Sequence, residues 1–238
     1  MRLTYKTINP YIILVPFDYY KDKLAAERLH RVYDIAPPRV RQYFKAEFDF
    51  VRSFATHEAC ALEMGCGYGR AMAELAGDFK MLYGIDNSAA SIADARGYLK
   101  GVDNAHLAVM DASRLAFDDQ TFDVVFCIQN GLSAFHIEPK ILIKEAVRVT
   151  KTGGVALFSS YAAQFWEHRK EWFMLQSKEG LLGEIDWEKT GNGKIVCKDG
   201  FNATTYGPAE FEALAKALGL EARIETVDDS SVFCVIRV

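Results

Sequence analysis

Three glycines at alternate positions, Gly65, Gly67 and Gly69, close the apolar run of "ALEMGCGYGR" and stand just ahead of a helical pattern. Glycine at that density lets a backbone come close to a ligand and leaves the amides of the following helix free to meet it. Acidic residues frame the loop. Glu63 precedes it by two residues, Asp86 ends the next apolar run, and Asp111 ends the one after. Dinucleotide loops use the longer spacing GxGxxG, with a pyrophosphate seated on the helix N-terminus. Here the third glycine comes one residue early. A carboxylate at Glu63 would repel a pyrophosphate but suits the ammonium of an amino acid. Asp86 stands where one carboxylate can hold both hydroxyls of a ribose, as nicotinamide and adenosyl ligands both require. Asp111 can accept from an adenine amino group while the next backbone amide donates to the ring.

The elements that must position these residues follow from periodicity. From residue 59 onward short apolar runs alternate with helical stretches. "ACALEMG", "KMLYGID", "AHLAVMD", "TFDVVFCIQ" and "VALFSS" read as strands. "RAMAELAG", "SAASIADARGYLKG" and "PKILIKEAVRVTKTGG" read as helices, the last running into a glycine stop. This rhythm predicts an α/β fold with parallel strands and helices on both faces. "EARIETVDD" and "SSVFCVIRV" follow the helix "GPAEFEALAKALGL" and are joined by a tight acidic turn, so the last strand must run antiparallel. The expectation is a doubly wound, seven-stranded, mostly parallel sheet with an antiparallel C-terminal strand.

Composition sets outer limits. The 238 residues are 50% hydrophobic and 25% charged, enough for one α/β domain with its own core. The net charge of −4 gives no overall field to recruit nucleic acid or an anionic membrane. The five cysteines are scattered and mostly sit in apolar segments, without CxxC spacing, which points to reduced thiols, a cytoplasmic location and no metal site. The apolar stretch at residues 11–17 is broken by Pro16, too short for a membrane span, and reads as neither a targeting signal nor an anchor. Within one domain the chain divides into an N-terminal helical cap (1–56), a ligand-binding core (57–160), an aromatic-rich insertion that would form a lid (161–205), and a C-terminal helix with a strand pair (206–238).

Five segments in order, "LEMGCGYGR", "YGIDNS", "MDASRLAF", "FDVVFCIQNGLSAF" and "VTKTGGVALFSS", resemble the successive motifs of class I S-adenosylmethionine-dependent methyltransferases. The resemblance covers residues 59–160, and the terminal strand pair extends it. It implies S-adenosylmethionine as cofactor. Gly65, Cys66, Gly67 and Gly69 would then approach the methionine moiety, with Glu63 nearby. Asp86 would hold the ribose, with Asn87 flanking the adenine, and Asp111 and Ala112 would read the adenine edge. Gln129 and Asn130 would lie where the methionine end meets the acceptor. Cys66 needs only to be small there, and Arg70 is expected to be a solvent-facing helix residue.

Methyl transfer from a sulfonium needs alignment more than acid–base help, so the sequence names no catalytic residue outright. His136, Tyr161, and Tyr20 or Tyr33 of the N-terminal segment are the candidates for a base if the acceptor must lose a proton. Aromatic residues in the cap and lid either pack those helices onto the core or hold a cationic amine or planar ring. The DNA-base signature "FNPPY" is absent after the fourth strand, where the chain has "CIQNGLSAF". A small-molecule acceptor, at nitrogen or oxygen, is therefore expected, with no DNA and no membrane as partner. Two other readings remain open, a nicotinamide-dependent oxidoreductase and a non-catalytic S-adenosylmethionine-binding protein. Oligomeric state leaves no trace in the sequence.

Overall fold

The structure, a computed structural model, describes residue 19, residues 23–25 and residues 27–238. Tyr20 and the apolar stretch at residues 11–17 lie outside the described residues. Two helices open the described chain, α1 (Glu27–Asp34) and α2 (Pro38–Arg52), separated where Pro37 and Pro38 break one pattern and start the next. Then come β1 (Cys60–Met64), α3 (Arg70–Leu75), β2 (Met81–Asp86), α4 (Ala89–Tyr98), β3 (Ala105–Val109), β4 (Phe122–Cys127), the four-residue α5 (Gly131–Ala134), α6 (Pro139–Val149) and β5 (Thr150–Tyr161). α7 (Trp166–Lys178) follows β5, then a short hairpin of β6 (Ile195–Val196) and β7 (Asn202–Ala203), α8 (Pro208–Ala217), β8 (Ala222–Val227) and β9 (Ser231–Arg237).

The main sheet has seven strands in the order β3-β2-β1-β4-β5-β9-β8. β3, β2, β1, β4 and β5 pair in parallel, and β9 runs antiparallel to both of its neighbours. That is the expected sheet. Strand order reverses between β1 and β4, so the crevice outside their carboxyl ends is the natural ligand position. β4 and β5 are buried almost throughout because helices cover both faces.

One boundary differs from expectation. The helix α6 stops at Val149, and "TKTGG" belongs to β5 rather than to the helix. Thr150 turns its hydroxyl back to the Ala146 carbonyl at 2.7 Å, and Gly153 takes φ +85°. Register jumps from Phe122–Thr150 to Val124–Val155, so the segment is an irregular bulge that restarts the strand.

α1, α2 and α7 cap the crevice. The apolar stripe of α2 buries Val40, Tyr43, Phe44, Phe48 and Val51, spaced as one helix face requires. Arg39 clamps this helix to the β8–β9 turn through the Asp228 carboxylate and carbonyl, both at 2.6 Å. Trp172 of α7 donates its indole N–H to the Val32 carbonyl of α1 at 3.0 Å. The fully buried Arg169 donates to the carbonyls of Gly193 and Ala203 at 2.7 and 3.1 Å, tying α7 to the loop around β6 and β7.

Candidate functional site

The crevice at the β1/β4 switch holds a cavity of about 1170 Å³, including the solvent at its mouth. β1 delivers Glu63 and the glycine loop to its floor, β2 delivers Asp86, and the turn after β4 delivers Gln129. All three loop glycines take positive φ. The third, Gly69 at φ +87°, serves as the N-terminal cap of α3, and a side chain there would collide with Leu99 at 2.8 Å. The loop is pinned to β2: the Gly65 and Cys66 amides donate to the Ile85 carbonyl, and the Gly67 amide donates to Asp86 Oδ2 at 3.1 Å. Asp86 Oδ1 accepts from the Ser88 amide at 2.8 Å, while Ser88 itself caps α4. Asp86 is therefore a loop and helix organiser that also faces the cavity.

Four cavity-lining residues carry buried polar atoms without a partner: Glu63 Oε2, Arg70 Nε, Gln129 Nε2 and Gln176 Nε2. Buried polar groups left unpaired are costly, and together they mark a place prepared for polar contacts from a ligand. Burial pushes the Glu63 carboxyl up to about 8; the nearby Arg70 charge opposes that shift and Asp86 reinforces it. Arg70 is not the solvent-facing residue its position suggested. Its guanidinium lies 3.9 Å from the Tyr33 ring centre and 4.3 Å from that of Phe44, and it hydrogen-bonds Gln129 Oε1. The cap created this site. Once α1 and α2 fold over the loop, their aromatic faces offer a cation more than water does.

The predicted residues divide. Glu63, Gly65, Cys66, Gly67, Asp86, Asn87, Gln129 and Tyr161 all line the cavity. Asn130, at φ +63°, is buried and holds the chain instead: its amide donates to the Thr204 carbonyl and accepts from Ser160. Asp111 is exposed and folds back on the Ser113 amide and hydroxyl at 2.8 and 2.7 Å, with Ala112 buried beside it. His136 is exposed in the loop after α5 and does not line the cavity. Burial raises the Tyr161 hydroxyl well above its ordinary range, with the Arg169 charge, 4.6 Å from the ring, opposing that shift. Tyr161 therefore stays a protonated phenol. Among the described residues no cluster of His, Cys, Asp and Glu could hold a metal. Among the described residues, too, no helix is long and apolar enough to cross a membrane.

Sequence reasoning missed Glu47 and Gln176. Glu47 is fully buried on the apolar face of α2 and accepts from the Gln129 amide at 2.7 Å and from the Ser231 hydroxyl. Burial raises its carboxyl to about 7, against these hydrogen bonds. It holds the backbone of Gln129 at φ +55°, a conformation a non-glycine residue keeps only when its surroundings insist. The signal was present in the sequence: Glu47 is a charged residue inside the stripe Phe44, Phe48 and Val51.

Comparison with known proteins agrees with this geometry. Residues 61–154 match the methyltransferase domain family. The fold matches the PH0226 protein of Pyrococcus horikoshii with a TM-score of 0.64 at 24% identity, over 89% of this chain and 98% of that one. It matches the DhpI–SAM–HEP complex with a TM-score of 0.62 at 20% identity, over 92% of this chain and 94% of that one. Residues 61–154 thus carry a methyltransferase-domain match, and the fold is the one seen in solved S-adenosylmethionine-dependent methyltransferases. Among curated relatives, it is 29% identical to the 2-methyl-6-phytyl-1,4-hydroquinone methyltransferase of Synechocystis over 55% of this chain and 46% of that one. It is 35% identical to the malonyl-[acyl-carrier protein] O-methyltransferase of a Marinomonas species over 50% of this chain and 44% of that one. The matches thus span less than half the length of these curated relatives. The methyltransferase-family match runs from β1 into β5, the strands that build the cavity floor, and stops short of α7.

Proposed function

We propose that this chain is an S-adenosylmethionine-dependent methyltransferase that acts in the cytoplasm on a nitrogen or oxygen of a small molecule. The observation that carries the reading is the convergence of unpartnered Glu63 Oε2, Arg70 Nε and Gln129 Nε2 around the glycine loop. A methionine moiety presents one ammonium and one carboxylate, and this set offers one acid and two donors. When bound, the cofactor supplies an electrophilic methyl group on a sulfonium. Glu63 gives up its proton to meet the ammonium, and Arg70 and Gln129 donate to the carboxylate. Asp86, at the end of β2 and on the cavity wall, would meet the ribose hydroxyls.

The chain contributes alignment and exclusion of water, which can carry much of the barrier for an in-line displacement. The cap helices and Trp172 close over the cavity for that purpose. The protonated Tyr161 phenol can donate a hydrogen bond but is no base, so an acceptor that is already nucleophilic fits best. Relatives named for a hydroquinone and for an O-methyl product support a carbon-skeleton acceptor with oxygen. The free, mostly buried cysteines support a reducing compartment. The test is an acceptor screen read by release of S-adenosylhomocysteine. Turnover on a nitrogen or oxygen acceptor is expected, whereas binding of the cofactor without transfer to any acceptor would favour a non-catalytic binding protein.

A further inference from the structure

With Glu63, Arg70 and Gln129 assigned to the methyl donor, one unpartnered buried polar atom on the cavity wall is left over, Gln176 Nε2. Gln176 is 2% exposed and lies on α7 one turn beyond Trp172 and Phe173, which line the same cavity. Tyr33 of α1 faces this wall, with its ring 6.1 Å from that of Trp172. Tyr161 also lines it.

The charges around this wall narrow what it can take. Aromatic faces could hold a cation, but they already do: Arg70 lies on Tyr33 and Phe44, and Arg169 lies 4.6 Å from the Tyr161 ring centre and 5.3 Å from that of Phe173. A cationic acceptor would meet two fixed positive charges. An anionic acceptor would meet the Asp86 carboxylate, while the Arg169 terminal nitrogens donate to backbone carbonyls. The charged residues Glu167, Lys170, Glu171 and Lys178 of α7 line an outer groove instead of this cavity. What remains is an apolar, aromatic slot with one buried amide donor.

We propose that Gln176 with Trp172, Phe173, Tyr33 and Tyr161 forms the acceptor subsite, built for an uncharged planar ring bearing an oxygen that accepts from Gln176 Nε2. This rests on the methyl-donor reading and adds the class of acceptor to it.

The experiment separates the two. S-adenosylhomocysteine is first titrated calorimetrically into the intact protein, and failure to bind would sink the donor reading alone. Then 2-naphthol, naphthalene, 2-naphthoate and 2-naphthylmethylammonium are titrated with and without S-adenosylhomocysteine. The expected result is that 2-naphthol binds about tenfold tighter than naphthalene, the effect of one buried donor gaining its partner, and tighter than either charged probe. Gln176→Leu should reduce the naphthol preference to about twofold or less while leaving naphthalene and S-adenosylhomocysteine affinity unchanged. Gln176→Met, of similar length and also without a donor, repeats the test should the leucine variant not fold. Equal binding of naphthol and naphthalene, tighter binding of a charged probe, or a preference that survives both substitutions would overturn the subsite. So would a parallel loss of S-adenosylhomocysteine binding, which would place Gln176 at the donor end.

Discussion

The floor and the roof of the cavity are built by different rules. The floor is made where strands end: Glu63 and the glycine loop after β1, Asp86 at the end of β2, Gln129 after β4. Each position is set by a few neighbouring residues and by the parallel sheet beneath. The roof is made where segments far apart in the chain meet. Trp172 bonds Val32, Arg28 reaches the carbonyls of Gly180 and Leu181, and Arg169 joins α7 to the loop around β6 and β7. The floor is local chemistry on a rigid sheet, and the roof is tertiary packing. Substitutions in the floor should therefore cost ligand affinity first, and substitutions in the roof should cost stability first.

The largest stability effect is expected in the roof. Arg169→Met strands one buried and one half-buried carbonyl, so chemical denaturation should show a loss of about 2–5 kcal/mol. An unchanged midpoint would mean that the roof is held elsewhere. In the floor, Gly67→Val places a β-branched residue at φ +54°, with its Cβ 3.0 Å from Leu29. Calorimetry should then show S-adenosylhomocysteine affinity reduced by about 100-fold or more, against a stability cost of about 1–2 kcal/mol. Retained affinity would show that no ligand approaches this backbone closely. Asp86→Ala should weaken the same binding by about 1–3 kcal/mol, through lost charge-assisted bonds and a looser loop. A loss confined to stability would reduce Asp86 to a cap.

Glu47 joins the two regions, reaching from the roof helix α2 to the floor residue Gln129. Its folded carboxyl titrates near 7, above the ordinary 4.5 of the unfolded chain. Between those values the folded state binds more protons at this group than the unfolded one, so the contribution of Glu47 to stability is greatest below about 4.5 and is lost as pH rises from there through 7. Glu47→Gln keeps the shape and should flatten this part of the stability–pH curve. Unfolding curves of equal slope against pH for both proteins would remove Glu47 from the account.

This contrast explains what was legible in the sequence. The seven-stranded, mostly parallel sheet, its reversed last strand and the gathering of Glu63, Gly67, Asp86 and Gln129 at strand ends are legible because periodicity and strand-end acids are local signals. Read along the chain, "TKTGG" looks like a glycine stop that ends a helix, while the pairing that makes it a bulge lies across the sheet on β4. The local sequence points Arg70 to solvent because the rings that cover it, Tyr33 and Phe44, come from another part of the chain. Gln176 is an ordinary polar residue until folding buries it beside Trp172 and Phe173. Asp111 carries an acid at the expected strand end, yet its carboxylate serves its own turn.

The central claim is that Glu63 receives the ammonium of a methionine moiety, and proton release tests it most directly. Its carboxyl titrates near 8 in the free protein and must ionise to meet the ammonium, so binding at pH 7 should release close to one proton. S-adenosylhomocysteine titrated at pH 7 in two buffers of different ionisation enthalpy should show that release, and Glu63→Gln should abolish it and weaken binding. Binding without proton release, or a release that persists in Glu63→Gln, would contradict the account.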